Sequence, residues 1–497
     1  MEEGDCPYVE QREAAQDADV LIGHPTHALS QDLVAGRVLI FDESPGDAYQ
    51  TVFPATARTR AVNQFLQGYD KLDINRIDQV EALALLNEVG GVESEELVEE
   101  LSSIDAATRQ TEVLKSNGHA EAPSITLATF LLKKQQSTDL TGNQTNDTYA
   151  ASLRQNLDLD YVQLADGMSV VDDLNSGELH IRRPPDLSDA SAIVGLDGTP
   201  QVAVWKGKLG LDEMDHRQLL CDSCRRTYLA EYVGYDLVQT TTASNPYSSG
   251  NHVNRAQCYG LLEAVHDEYN HPVPIITSQK AEERLFESTP NEAYLGEPPI
   301  TEFVTDIKHY GDLKSSNEFE GKPVGVVLGS PHPGDAPIQI AAAFEGYPAL
   351  REGKGIDLDY GIKDSPFLQH FREDKVAQAI FRFGRSSPAT VYVHTAAIPD
   401  WLQELAQQPN DGETVVRTRK DGERAVIKSL RNEGGGEVKE IAARASLDYT
   451  QRHVREMLAR LFEAGLVDRT DSQPYEWTPA NLVSASIVAD VSLPGKD

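Results

Sequence analysis

Short apolar runs bounded by polar or Gly/Pro-rich stretches recur along the chain, and most of them read as strands of a buried parallel sheet. Residues 38–41 form such a run and deliver Asp42 and Glu43 to the strand's C-terminal end, where open α/β sheets bind their ligands. Further strands are expected at 236–241, 274–277, 324–328 and 390–394, with amphipathic stretches between them that suit a sheet covered on both faces. Between residues 55 and 150 the period changes. Residues 74–89 carry Ile77, Val80, Leu83 and Leu85 as an apolar stripe, 94–103 opens on Ser94 as a cap, and 124–132 is an apolar helix or strand. A polar linker rich in Thr and Asn is expected at 137–148.

From Arg424 onward the pattern is that of a winged helix-turn-helix. Val426 and Leu430 mark a first helix, Val438, Ile441 and Ala442 a second, and Val454, Leu458 and Leu461 a third. Asp448 is placed to cap the third helix and Gly465 to end it, and 466–479 would make the hairpin wing. On the third helix Tyr449, Gln451, Arg452 and Arg455 stand where a recognition helix meets base edges, while Arg444 and Arg460 could reach phosphates. A winged helix used to dock protein fits the same pattern.

Charge sharpens this contrast. The chain of 497 residues has 79 acidic against 44 basic residues, a net charge of −35 and a pI near 4.7. Such an excess repels phosphate at low salt. The acids are spread along every segment, a halophilic, haloarchaeal-like composition that suits high salt, where a Debye length of about 3 Å at 1 M screens the repulsion. Between residues 417 and 469 basic and acidic residues nearly balance. No apolar run approaches the roughly 20 residues that cross a bilayer, and the acidic N-terminus lacks the regions of a signal peptide, so a cytoplasmic protein with no membrane partner is expected. Four cysteines do not make a disulfide scaffold in so long a chain. Cys221 and Cys224 form a CxxC, with His252 and Cys258 as conceivable zinc ligands. The reading preferred here is a helix with Leu220, Cys224 and Tyr228 on one packed face and no metal site.

Several segments carry a family resemblance. Residues 6–29, with a Cys-Pro-Tyr and an Ala-Asp-Val strand, followed by FDESPGD, resemble the approach to the DEAH box of superfamily 2 DNA helicases of the XPD-like branch. In the same order, SAIVGLDGTP (191–200) resembles motif III, HPVPIITSQKAEERL (271–285) motif IV, 309–319 with 324–335 motif V, and VAQAIFRFGR (376–385) motif VI. The resemblance implies an α/β fold of two RecA-like parallel-sheet lobes, the first incomplete, with a helical insertion and the C-terminal winged helix. It implies ATP and Mg²⁺ as cofactors, Asp42 holding the Mg²⁺ and Glu43 orienting the attacking water. Gln378 would contact the nucleotide, and Arg382 and Arg385 its phosphates. Ser330, His332 and Asp335 would face DNA or the nucleotide cleft.

Departures from the family qualify the activity. No Gly-x-x-x-x-Gly-Lys-Ser/Thr occurs in the chain, so the phosphate cradle is missing, and the chain looks truncated at its N-terminus. Ser44 and Pro45 replace the usual Ala-His, and Phe381 stands where motif VI has Gly. Cys6 aligns with the last ligand of the family's iron–sulfur cluster; the others would lie upstream, so no cluster is expected. The expected organisation is a partial first lobe at 1–205 with the insertion at about 55–150, a second lobe at 206–405, the winged helix at 415–482 and a tail at 483–497. The expected function is that of an ATP-dependent DNA helicase-like protein unable to hydrolyse ATP alone. The alternatives are a non-catalytic DNA-binding protein and one subunit of a split helicase whose P-loop comes from a separate polypeptide.

Overall fold

The computed structural model describes residues 14–15, 18–104, 119–138, 143–145, 148–152, 158–164, 167–286, 299–313, 317–385, 387–407, 415–445, 450–480, 482 and 488–494. The chain divides into two compact units, 1–217 with 333–353 and 358–370, and 218–332 with 354–357 and 371–497.

The first unit runs through strands β1 (Val38–Asp42), β2 (Gln50–Phe53), β3 (Asn143–Thr145), β4 (Thr148–Ser152), β5 (Leu159–Gln163), β6 (Ser169–Asp173), β7 (Glu178–Arg182) and β8 (Ala192–Leu196). β1 and β8 pair in parallel, with Asp42 opposite Leu196. The other six form one antiparallel sheet in the order β2-β7-β6-β5-β4-β3. Helices α1 (Ala55–Gly68), α2 (Ile77–Leu86), α3 (Ser94–Ser102) and α4 (Ala122–Thr138) cover one face of it. Their apolar faces bring Phe65, Val80, Leu83, Leu97, Ile125 and Phe130 against Val162, Val170 and Ile181. Because strand side chains alternate, Leu159, Tyr161 and Val171 point the other way and pack on Ala343 and Phe344. The interval expected to be helical thus lies on a sheet whose strands carry acids, and those acids are satisfied. Buried Asp172, for example, accepts from Arg58 at 3.2 Å.

Three local expectations are corrected here. Val38 and Ile40 are not buried: they are 59% and 65% exposed, as are Val194 (41%) and Leu196 (51%) on the same face of β8. Among the described residues β1 has a strand partner on one side only, and one face of the pair is left uncovered. The opposite face packs on Val34, Trp205 and Leu209. Leu85 is exposed and Ala84 buried in its place, since Ala84, not Leu85, continues the 3.6-residue period from Val80 and Leu83. Ser94 does not cap α3. It is the first helical residue, its hydroxyl donates to Leu83 O, and Glu93 caps the helix in a capping box with Glu96.

The second unit is built on β9 (Tyr235–Gln239), β10 (Val273–Thr277), β11 (Val304–His309), β12 (Val324–Leu328) and β13 (Ala389–His394), all parallel, in the order β9-β13-β12-β10-β11. Strands β10 and β12 are buried throughout, as continuous apolar runs require in a sheet covered on both faces. α6 (Asp222–Thr227) and a π-helical turn, Tyr228–Val233, precede β9, α7 (Arg255–Tyr269) packs on one face of the sheet, and α8 (Glu373–Ile380) packs on the other. The helix expected around the CxxC starts only at Asp222, and Leu220, Cys224 and Tyr228 are exposed rather than packed. Beyond the sheet, β14 (Val415–Thr418) pairs antiparallel with residues Ala489–Ser492, and this ribbon lies on α7 where Gly260 leaves room: a Cβ there would meet that of Ala489 at 2.5 Å. α9 (Asp421–Glu433), α10 (Val438–Arg444) and α11 (Gln451–Glu463) enclose a core of Val426, Leu430, Ile441, Val454, Leu458 and Trp477. The hairpin of β15 (Val467–Arg469) and β16 (Glu476–Pro479) closes it, with Gly436–Glu437 as a third strand. The α/β class expected from sequence is the class the chain adopts, with parallel sheets in both units.

Candidate functional site

In the first unit β1 ends on Asp42, and Glu43 follows with φ +69, left-handed backbone that a glutamate adopts at a cost. The Glu43 amide donates to Leu196 O at 2.8 Å, so β8 fixes the turn that presents both carboxylates to solvent. β8 leads into Asp197, which sequence reasoning passed over. Its carboxylate accepts from Trp205 Nε1 and from the Thr199 amide, each at 2.9 Å. Trp205, on α5 (Val202–Leu209), packs against Gly195, where a Cβ would come within 2.7 Å of the indole. A Mg²⁺ carried by nucleotide phosphates takes one or two carboxylates and several waters, and the exposed Asp42 is the residue of this turn that could supply one. Ser44 and Pro45 continue the turn; Pro45 is buried, and the Ser44 hydroxyl is shielded from solvent.

In the second unit the C-terminal ends of the parallel strands gather buried polar groups. His394 Nδ1 lies 2.8 Å from Thr240 Oγ1, and burial pushes the imidazole pKa down to about 4, so the ring is neutral. Thr277 donates to Leu328 O at 2.9 Å and Tyr310 to Gly329 O at 2.7 Å. Burial raises the pKa of Tyr310 and Tyr247 far above the usual range. Ser330 is fully buried, bridged to the strand-like stretch at Pro246, and the His332 amide donates to Ser248 Oγ at 2.7 Å. Asp335 belongs to the first unit, where it accepts from Arg351 at 2.9 Å and Tyr360 at 2.6 Å. Of the buried polar groups at this edge the sequence points to Ser330 alone; a His or Thr that follows an apolar run carries no local signal.

Gln378 lies on α8 and accepts from Lys375 at 3.3 Å. The helix ends at Ile380, and Arg382 is half-buried in the turn that follows. Arg385 is exposed, donates to Asn317 Oδ1, and has φ +43. Glu43 and Arg385 are two of the six non-glycine residues with positive φ among those described; strain of that kind is often held where a side chain must be aimed. Phe381, where the sequence resemblance implies Gly, is packed. It stacks on Trp401 at 6.0 Å and meets Tyr235 edge-on at 5.5 Å, so the ring is part of the core beside α8.

On the C-terminal module, Thr450 rather than Asp448 caps α11, accepting from the His453 amide; Asp448 and Tyr449 lie outside the described residues. Gly465, at φ +69, ends it. Gln451, Arg452 and Arg455 are exposed along the N-terminal half of α11, Arg452 at 87% with a single i,i+4 pair to Glu456. Arg444 instead donates to Glu433 O and Gly435 O, and Arg460 pairs at 2.7 Å with the buried carboxylate of Glu423. Arg469, missed in the sequence, lies over the rings of Phe462, Tyr475 and Trp477 at the base of the hairpin.

Cys221 and Cys224 are joined as a disulfide, and Cys258 is buried beside Tyr247, its thiol pushed up to about 12. Cys6 lies outside the described residues. Among the described residues no three His, Cys, Asp or Glu side chains converge as metal ligands, and no helix is long and apolar enough to cross a membrane.

No family model and no curated protein matches the chain. A solved structure described as XPD_APO is similar over 75% of this chain and 76% of its own, at 14% identity and a TM-score of 0.31. No residue correspondence is carried over at that level of likeness.

Proposed function

We propose that the chain is an ATP-dependent DNA helicase-like protein, built of RecA-like lobes and a winged helix, that acts on DNA and does not hydrolyse ATP by itself. What carries this reading is the turn at Asp42 and Glu43. Adjacent carboxylates sit at the C-terminal end of a parallel strand in a backbone conformation that costs energy to hold. Asp42 would hold Mg²⁺, Glu43 orient the water, Gln378 contact the nucleotide, and Arg382 and Arg385 supply charge to its phosphates. The phosphate-cradling sequence Gly-x-x-x-x-Gly-Lys-Ser/Thr is not in the chain, and with it goes the usual means of holding the β and γ phosphates. The module α9 to β16 would bind DNA through Gln451, Arg452 and Arg455, in a cytoplasm salty enough to screen a net charge of −35. The test is ATP turnover by the purified chain in molar KCl with and without single-stranded DNA, beside Asp42→Asn/Glu43→Gln.

A second reading, one subunit of a split enzyme, is favoured by the open face of β1 and β8. Parallel sheets are otherwise covered on both faces, and among the described residues nothing covers Val38, Ile40, Val194 and Leu196 of this two-stranded pair, apolar surface that another polypeptide would cover. Turnover restored by a P-loop-bearing polypeptide, and lost again in Ile40→Glu, would establish it. A third reading, a non-catalytic DNA-binding protein, is the outcome in which DNA is bound and no addition restores turnover.

A further inference from the structure

The CxxC on the second unit has no part in the function proposed above. Cys221 and Cys224 are bonded to each other and both exposed, in a segment where Leu219, Leu220, Tyr228 and Tyr232 also face solvent. The link does little for the fold as a whole: it closes a loop of very few residues at the surface, where a cross-link removes little chain entropy, and locally Cys221 Sγ accepts from the Cys224 amide at 3.2 Å to cap α6. Exposed, easily reached disulfides of this sort are more often exchangeable than structural, and in compartments kept reducing those that form are commonly transient. Cys258 offers the contrast within the same unit, buried, its thiol pushed up to about 12, and so inert.

The pair is also mechanically placed. Arg225, the next residue, lies 4.3 Å over the ring of Trp401, and Arg226 pairs with Glu404 at 2.6 Å, so α6 is held to the helix Asp400–Gln403 by two adjacent arginines. Trp401 stacks in turn on Phe381, nearly parallel at 4°, and Phe381 directly precedes Arg382. A change in the backbone at 221–224 therefore meets, within a few side chains, the turn that carries Arg382 and Arg385.

We propose that Cys221 and Cys224 are a thiol–disulfide exchange site for low-molecular-weight dithiols and disulfides, and that its state is passed through Arg225 and Trp401 to Phe381. In the reducing direction a dithiol's thiolate attacks one sulfur of the Cys221–Cys224 bond, which breaks and releases the other sulfur as a thiolate. The dithiol's second sulfur then attacks the mixed disulfide and frees the first cysteine. The dithiol leaves as its own cyclic disulfide, two electrons have passed to the protein, and the two protons of the dithiol end on the cysteines. Oxidation by a small disulfide is the reverse.

The test uses the full chain in molar KCl with a chelator present, equilibrated in dithiothreitol redox buffers and quenched with a mass-tagged alkylating reagent. The expected result is a cooperative gain of two tags on reduction, mapped to Cys221 and Cys224 and absent from the Cys221→Ser/Cys224→Ser variant. Tryptophan emission should change with the same midpoint, and this change should disappear in Trp401→Phe while the two-tag transition remains. Single tags appearing independently, or full tagging under every buffer, would overturn the exchange site. A two-tag transition with unchanged emission would overturn the transmission to Phe381. Folding of each variant is checked by far-ultraviolet circular dichroism, and Ser replacement of either exposed cysteine leaves no buried volume unfilled.

Discussion

Acid should weaken the second unit through His394. The ring is buried at the end of β13, hydrogen-bonded to Thr240, and its folded pKa is about 4 against 6.5 for the group in water. A depressed pKa means that the unfolded chain binds a proton which the folded one refuses, so stability rises with pH through this window and is lost as pH falls below 6.5 toward 4. At pH 4.5 that depression corresponds to a loss on the order of 2–3 kcal/mol relative to neutral pH. The many carboxylates of this chain also titrate there, so the quantity to measure is a difference. Urea unfolding of the wild type and His394→Asn, monitored in the same molar KCl at pH 7.5, 6 and 4.5, isolates the histidine. At pH 7.5 the variant should be the weaker of the two, because it loses packing around the ring. By pH 4.5 that gap should have narrowed by roughly 2–3 kcal/mol or reversed. A gap that stays constant across the range would refute the reasoning: the ring would then be solvated, or partnered in its charged form, in the folded protein.

Other expectations are briefer. Gly195→Ala places a methyl 2.7 Å from the Trp205 ring, and an overpacked contact of this kind costs roughly 1–3 kcal/mol, read as a fall in melting temperature that Trp205→Leu should relieve. Replacing Arg452 and Arg455 together by Ala should weaken DNA binding in high salt, since each base contact of such a side chain is worth about 1–3 kcal/mol, while circular dichroism stays unchanged because both residues are exposed. Unaltered affinity would show that α11 does not face DNA.

The parallel sheet of the second unit was legible because strands such as β10 and β12 are nearly continuous apolar runs, broken only by Thr277 at the end of β10, as a doubly covered sheet demands. The antiparallel sheet of the first unit was not. Its strands contain Asp160, Asp172 and Asp173, and these read as solvent-facing until partners far along the chain are known; Arg58, which meets Asp172, is 114 residues away. The same non-locality explains β1. Its apolar run looked like a core strand, but what covers a strand is decided by its neighbours, and Val38 and Ile40 have none on their face among the described residues. Asp42 and Glu43 stand out in the sequence by their position after that run, whereas the left-handed backbone of Glu43 has no signal in the residue types. Cys224 misled for the opposite reason: a cysteine is so often buried that its exposed, bonded state could not be anticipated from the residue type. Phe381 reads as a defect of the motif until Trp401 and Tyr235 are seen around it.

On the proposed function, this chain would bind DNA and face a nucleotide without being able to hold the nucleotide's phosphates on its own. Steady-state ATP hydrolysis by the purified chain in molar KCl, with and without single-stranded DNA and beside the Asp42→Asn/Glu43→Gln variant, tests it most directly. The expected result is a chain that binds DNA yet turns over ATP no faster than the variant. DNA-stimulated hydrolysis that the variant loses would show a complete ATP site in this chain and contradict it.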